Sequence, residues 1–402
     1  MPLFAHRGNR ALAAVGIGIL LAIITASFTE ESPESAIQRG DFPAFYTMAV
    51  VAKEGLGNRL YELPLQQEVQ ARYWHSLQTS MLPVAYPPYL AALLLPLAFF
   101  QPPTARAIWI LCNTLATLYA VIILSWRIPA LRAYRWQMGV VGLSFFPLLA
   151  GIIGGQAVGL SLLLLASIVA LSKSALRTEQ LLLGIVAGLW MFKPHYALAV
   201  AWLFLLQRRW VAFGAWAVTC LALWLLGVSI SGTNWLAHWL YFARQFSLID
   251  IATNSDQMTG VVPFLYSLQT RSLQGIAPNP DSMLLVSIAV AAIIPLALYL
   301  INSTTKRARI ADKSLPFLMV APVLLLCAPA ANFYDLSLLL VPLAATLSPA
   351  IKRDLQLLAA LIMLGGIGVL LREHGVYGNS LALTVIIGAF VSTRLLRLQR
   401  LP

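Results

Sequence analysis

Long apolar runs, parted by short polar and mostly basic breaks, follow one another from Ala11 to the C-terminus. Runs of this length approach the ~30 Å hydrocarbon core of a bilayer, since a helix rises about 1.5 Å per residue. The pattern predicts membrane helices at 11–28, 104–125, 136–153, 157–172, 181–206, 210–230, 283–302, 315–329, 334–349, 354–371 and 379–396. None shows the period-2 alternation of a membrane-barrel strand, and a helix satisfies its own backbone groups in lipid. The expected fold is an all-α polytopic membrane protein, one integral domain over residues 1–402 without a separate soluble part.

Composition agrees: 59% of residues are hydrophobic and 10% charged, which excludes a water-soluble globule with a polar shell. The formal charge of +12 would suggest a nucleic-acid partner in a soluble protein, so the position of the basic residues matters. They lie at helix ends, as Arg127/Arg132/Arg135, Arg208/Arg209, Lys306/Arg307/Arg309/Lys313, Lys352/Arg353 and Arg394/Arg397/Arg400. That is the positive-inside pattern of a protein whose partner is the lipid bilayer, expected here to be the bacterial inner membrane, and not nucleic acid. Arg7 and Arg10 precede a first apolar run that is read as a retained helix, not a cleaved signal.

Two segments leave the topology open. Residues 87–101 are apolar but short, and 181–206 is interrupted at Lys193-Pro194, where proline removes a helix hydrogen bond. If 87–101 crosses and 181–206 is one bent span, Arg127, Arg132, Arg135, Lys173 and Arg177 face outside, against the charge rule. If 87–101 only dips in, and 181–192 and 195–206 form a hairpin, every strongly basic loop turns inward, and the charge rule favours this arrangement. Both place 29–86, 231–282 and 328–333 outside.

The first outer loop, 29–86, carries two helical patterns, at Asp41 to Glu54 and Leu63 to Trp74, read as interfacial helices lying on the membrane. The second, 231–282, interleaves Trp235, Trp239, Tyr241 and Phe242 with His238, Arg244 and Gln245, a mixture suited to the headgroup level. Cys112, Cys220 and Cys327 lie far apart inside apolar runs and read as core packing. No Cys/His ligand spacing, no DxD pair and no glycine-rich phosphate loop occurs, so neither a metal nor a cofactor nor a nucleotide site is expected.

More specific is the order Gly40-Asp41-Phe42-Pro43-Ala44-Phe45-Tyr46, then Gly55-Leu56-Gly57-Asn58-Arg59-Leu60-Tyr61, then Tyr86-Pro87-Pro88. Gly155-Gln156, Gly184 to Lys193-Pro194, and Ala328-Pro329 to Phe333-Tyr334-Asp335-Leu336 continue it. In order and spacing these stretches resemble glycosyltransferase family 87. The resemblance implies a helix bundle of the GT-C architecture. It also implies a donor that is a polyprenyl phosphate sugar, with mannose as precedent, and a glycolipid or glycan acceptor on the outer face.

By the same resemblance Asp41, just after the first membrane helix, is the expected catalytic base. The chemistry agrees, since inverting transfer from a lipid phosphate needs a carboxylate to take the acceptor's proton. The competing reading is that Asp41 caps the helix that follows. Lys193 is expected to meet the departing phosphate, because a lysine within an apolar segment is costly unless it has a partner or a watery site. On that view its replacement by methionine should leave stability unchanged or improved. His195 is a second phosphate candidate, and Arg59, Arg72 and Arg244 are alternatives on the outer loops. Gln156, Asn332, Tyr46, Tyr61, Tyr86 and Tyr334 are candidate sugar contacts, with interhelical glue an equal reading for Gln156 and Asn332. Asp335 either binds sugar or caps its own helix.

Two other classes fit a polytopic chain with buried polar residues. A transporter or flippase of lipid-linked sugars should show inverted halves with matching broken helices, yet only Lys193-Pro194 stands out as a break. A non-catalytic envelope-assembly protein is distinguished only by an activity assay.

Overall fold

A computed structural model describes residues 40–345, apart from 75–76, 78–80, 129–131, 133–134, 256–257, 273–279, 308–313 and 329–330. The expected helices at 11–28, 354–371 and 379–396, and the end of 334–349, lie outside the described residues. Helix is the regular structure throughout: α1 (Phe42–Lys53), α2 (Leu63–Tyr73), α3 (Tyr89–Leu94), α4 (Pro102–Arg127), α5 (Arg135–Leu143), α6 (Phe146–Ile153), α7 (Val158–Ser172), α8 (Arg177–Leu189) and α9 (Pro194–Leu206). There follow α10 (Trp210–Ser231), α11 (Trp235–Asn254), α12 (Val261–Ser272), α13 (Pro280–Ala291), α14 (Ile293–Arg307), α15 (Leu315–Leu318), α16 (Val320–Cys327) and α17 (Leu340–Ala345).

Among the described residues three helices are long and apolar enough to cross a bilayer alone: Pro102–Trp126, Trp210–Ser231 and Leu285–Thr305. On α10 the side chains of Val218, Leu221, Trp224 and Leu225 stand bare, an apolar face that needs lipid for cover. Other expected spans are broken, and prolines account for where. A proline cannot bond the carbonyl four residues back, and Pro147, Pro295 and Pro322 stand four residues after Leu143, Ala291 and Leu318. Those are the residues at which α5, α13 and α15 end, while α8 ends at Leu189 and its terminal 3₁₀ turn, Trp190–Phe192, runs up to Lys193-Pro194. The runs 136–153 and 315–329 are therefore each two helices, a correction to the continuous spans the hydropathy pattern suggested, whereas 283–302 carries only a one-residue turn at Ala292 within a stretch that still reaches across.

Both open topological questions are answered by contacts. Residues 87–101 form only α3 and a 3₁₀ turn, Leu95–Phe99, too short to cross. At that turn Lys53 of α1 donates to Ala98 O at 2.9 Å, and Tyr46 to Phe100 O at 2.8 Å. Gly184 and Gly188, a small-xxx-small pair, admit α10 closely, Gly184 against Ala212 and Ala215 and Gly188 against Thr219. Numbers climb together on α8 and α10, so the two run parallel and α9 must return between them: 181–206 is a hairpin. Likewise Arg106, Trp109 and Asn113 of α4 bond Ile153 O, Gly155 O and the Gly159 amide, making α4 parallel to α7.

The far ends of these helices then fall together. Arg209 donates to Ser172 O at 2.7 Å and lies 5.4 Å over the ring of Phe317. Arg132, Lys173 and Arg177 share that end, away from Asp41, while Ser231 Oγ donates to Gly57 O at 2.7 Å at the opposite end. Single cysteines at 58 and 233 are expected to react with an impermeant maleimide from one membrane face, and cysteines at 132 and 173 only from the other. Reaction of position 132 alongside 58 would contradict the hairpin.

Two readings of local environment change. Helix α1 does form, but its residues from Phe42 to Val51 are buried on every side instead of lying on a membrane surface with one face wet. Cys112 is exposed on α4 and not in the core, while Cys220 and Cys327 are half-buried.

Candidate active site

Backbone contact between two glycine turns brings Asp41 to its neighbours. Gly40, at φ +98°, lies so close to Gly154 that a Cβ there would meet the Gly154 carbonyl, and a Cβ on Gly155, at φ +75°, would meet Phe42. Only glycine allows both the left-handed backbone and the approach. The Gly154-Gly155 turn is itself pinned by α4, through Trp109 Nε1 to Gly155 O at 2.6 Å and Arg106 to Ile153 O at 2.9 Å. Gln156, the next residue, is thereby set beside Asp41 and hydrogen-bonds its carboxyl.

Asp41 occupies the N-cap position of α1, yet its side chain makes no capping bond. The carboxyl is spent on the site and not on the helix. It is half-buried, and burial is the main influence on it, raising its pKa above the ordinary 3.8; Gln156 and the charge of Lys193 pull the other way.

Tyr86 is placed by an extended segment that two buried glutamines hold as a neighbouring strand would. Gln66 accepts from Val84 N at 2.9 Å, and Gln70 pairs with both the amide and carbonyl of Leu82. Tyr61 donates to Tyr86 O at 2.9 Å, and Trp239 of α11 to Ala85 O at 3.0 Å. The Tyr86 hydroxyl then reaches Gln156 Oε1 at 3.4 Å. Burial first, and then the charges of Asp41, Asp335 and Asp250, raise the pKa of Tyr86 well above 10.0, so it stays a protonated donor. A relay results: Tyr86 donates to Gln156, whose amide donates to Asp41.

Across the site, Lys193 and Asp335 form a buried ion pair at 9% and 2% side-chain exposure. Lys193 ends the turn after α8, where Pro194 starts α9, and Asp335 sits in the 3₁₀ helix Phe333–Leu339. Asp335 does two jobs, accepting from Lys193 through Oδ1 and from the Asn332 amide at 3.2 Å through Oδ2 in a capping box. Asn332 Nδ2 donates to the Tyr334 hydroxyl at 3.0 Å, and the Tyr334 ring lies 5.5 Å from Lys193 Nζ. Beside them His195 Nε2, Tyr196 Oη and Ser337 Oγ are buried without a hydrogen-bond partner among the described residues.

Asp41, Gln156, Tyr86, Lys193, His195, Asn332, Tyr334 and Asp335 are thus gathered at one end of the bundle, with Tyr61 as a support. The other candidates lie elsewhere. Arg59 pairs with Glu62 at 2.8 Å, and Arg72 with Glu54 and Glu68 at 2.7 and 2.8 Å, all on exposed surface. Arg244 is exposed on α11, and Tyr46 spends its hydroxyl on Phe100 O. Pattern reading passed over Asp250, Asn254 and Tyr196. Asp250 of α11 is buried, accepts from Asn254 at 2.7 Å, and feels the charge of Asp41; burial chiefly lifts its pKa to about 6. That Asp250 is the one acidic residue of α11 was the available signal. Among the described residues no three acidic, histidine or cysteine groups converge on a metal site.

An all-helical membrane bundle with carboxylates, an ammonium and amides collected at one end of its apolar helices is the frame of a membrane enzyme acting at an interface. The model of glycosyltransferase family 87 matches residues 85–329, and the chain belongs to that family. It is accordingly a membrane glycosyltransferase. No curated protein and no solved structure matches it.

Proposed function

We propose that the protein transfers a hexose, with mannose favoured, from a polyprenyl phosphate sugar to a glycolipid or glycan acceptor. The site would face the outer side of the bacterial inner membrane, as the basic loops at the opposite end suggest. What carries the reading is the single arrangement of Asp41, held by Gln156 and within electrostatic reach of the ammonium of Lys193. The acceptor oxygen attacks the anomeric carbon and its proton passes to Asp41; the bond to the phosphate oxygen breaks with its electron pair, leaving polyprenyl phosphate, and the configuration inverts.

Lys193 has three N–H donors and Asp335 takes one, so two remain to meet phosphate oxygens. The unpartnered His195 and Tyr196 groups beside it are further donors that a phosphate would satisfy. Gln156, Tyr86, Asn332 and Tyr334 would border the sugar. No cofactor or metal enters this reading. The test is purified protein in lipid vesicles given labelled polyprenyl phosphate mannose, the glucose analogue and a membrane glycolipid extract. Label in a new glycolipid supports the reading, whereas label that stays wholly in the donor removes it.

A further inference from the structure

The two outer segments meet above the site. Trp239 bonds Ala85 O, Tyr61 packs on Phe242 with ring centroids 5.6 Å apart, and after α11 the chain is tied to the far side by the Met258–Asn332 bridge and by Thr259 N to Ala331 O at 2.8 Å. Helix α11 therefore runs from the Tyr86 side of the site to the Asn332 side. It is anchored at both ends, and Asp250 and Asn254 lie one turn apart near its second anchor. Asp250 is 7% exposed, and holding a carboxylate at such burial costs free energy.

The donor has a direction of approach. Its prenyl tail stays in lipid, so its phosphate must lie toward the membrane helices, where Lys193 and Asp335 join α8, α9 and the 3₁₀ helix. The acceptor's attacking hydroxyl must come to Asp41 from the other side, under α11. Helix α11 spans the gap between Tyr86 and Asn332, and on it Asp250 feels the charge of Asp41 and itself acts on Tyr86, so it lies on the acceptor side of the site. An Asp–Asn pair offers what a sugar hydroxyl uses, an oxygen to accept its proton and an amide to donate to its oxygen.

Resting on the glycosyltransferase reading, we propose that Asp250 and Asn254 bind a second hydroxyl of the acceptor, next to the one that Asp41 deprotonates, and so select an acceptor bearing neighbouring hydroxyls. This pair positions the acceptor and takes no proton from it. A lone alcohol, or a serine side chain, would fill Asp41 and leave the pair unmatched.

The experiment measures initial rates of mannosyl transfer from labelled polyprenyl phosphate mannose to the membrane glycolipid extract, varying donor and extract separately. Asp250→Asn keeps an acceptor for the Asn254 amide and removes the charge. The expected result is a rise of roughly 10-fold or more in the apparent KM for the extract, with the donor KM within about twofold of wild type. Asn254→Ala should shift the same parameter less. A thermal melt close to wild type for both variants excludes general misfolding, and a melt drop in Asp250→Asn with both KM values moving together would overturn the proposal in favour of a structural role. Unchanged KM values overturn it equally. Absence of transfer by the wild-type protein is a different result, which removes the glycosyltransferase reading itself.

Discussion

Asp41→Asn is expected to lower transfer by about 10³-fold while leaving the protein folded, because general-base catalysis contributes roughly 10²–10⁴-fold. Asparagine can still accept from Gln156, and the side chain caps nothing in α1, so no structural bond is lost. Desolvation of the charged form disappears, and the melting temperature should hold or rise. Acid should mimic the substitution. The pKa of Asp41 is raised, so its proton-accepting form is lost at higher pH than for an ordinary carboxylate, and transfer falls on the acid side. The sign for stability is opposite. A raised folded-state pKa means that the folded protein holds the proton more tightly than the unfolded chain, so this group costs stability as pH rises and costs none in acid. Melts in acid and at neutral pH therefore separate lost chemistry from unfolding. Near-normal transfer by Asp41→Asn would send the search for a base to Asp250 and Asp335, since Glu54, Glu62 and Glu68 are tied up in exposed ion pairs.

Much of the fold could be read from residue pattern because lipid imposes simple rules. The three longest spans were legible as apolar runs, and the charge rule alone favoured the hairpin at 181–206 that the Gly184 and Gly188 contacts establish. Hydropathy could not show the interruptions at Leu143, Ala291 and Leu318, because an apolar proline raises no polar flag. Reading each proline four residues back would have found them. The burial of α1 was hidden for another reason. An apolar helix in an outer loop can cover itself with lipid or with protein, and the choice depends on α3 and its turn packing alongside.

The site divides similarly. Lys193 stands out as a charge within an apolar segment, whereas Asp41 and Asp335 were singled out by the resemblance and by their places at helix starts. That the Gln156 turn reaches Asp41 is a tertiary fact, set by glycines that let Gly40 and Gly154 touch. The loop arginines could be kept only as alternatives, because charge in an outer loop looks the same whether it awaits a phosphate or, as for Arg59 and Arg72, pairs with Glu62 or Glu68 nearby. Asp250 was passed over because the aromatic neighbours of α11 suggested only an interface with headgroups.

Lys193→Met should now be expected to harm both function and stability, which reverses what the isolated lysine implied. Taken alone, a buried ammonium is a cost that methionine would remove. Here it is half of a buried pair, and its loss strands the Asp335 carboxylate at 2% exposure. Breaking one side of such a pair costs about 3–5 kcal/mol, whereas replacing both sides by groups of similar shape is often neutral or better. The single substitution should therefore lower the melting temperature by several degrees and raise the apparent donor KM, with turnover falling as well. Lys193→Met with Asp335→Asn should recover most of the melting temperature, because asparagine can still accept from the Asn332 amide. It should recover none of the donor binding, because the ammonium is still missing. That split separates two roles a single variant would confound. Should the double variant bind polyprenyl phosphate mannose as wild type does, Lys193 and Asp335 are a structural strut alone, and phosphate recognition passes to the unpartnered His195 and Tyr196 beside them.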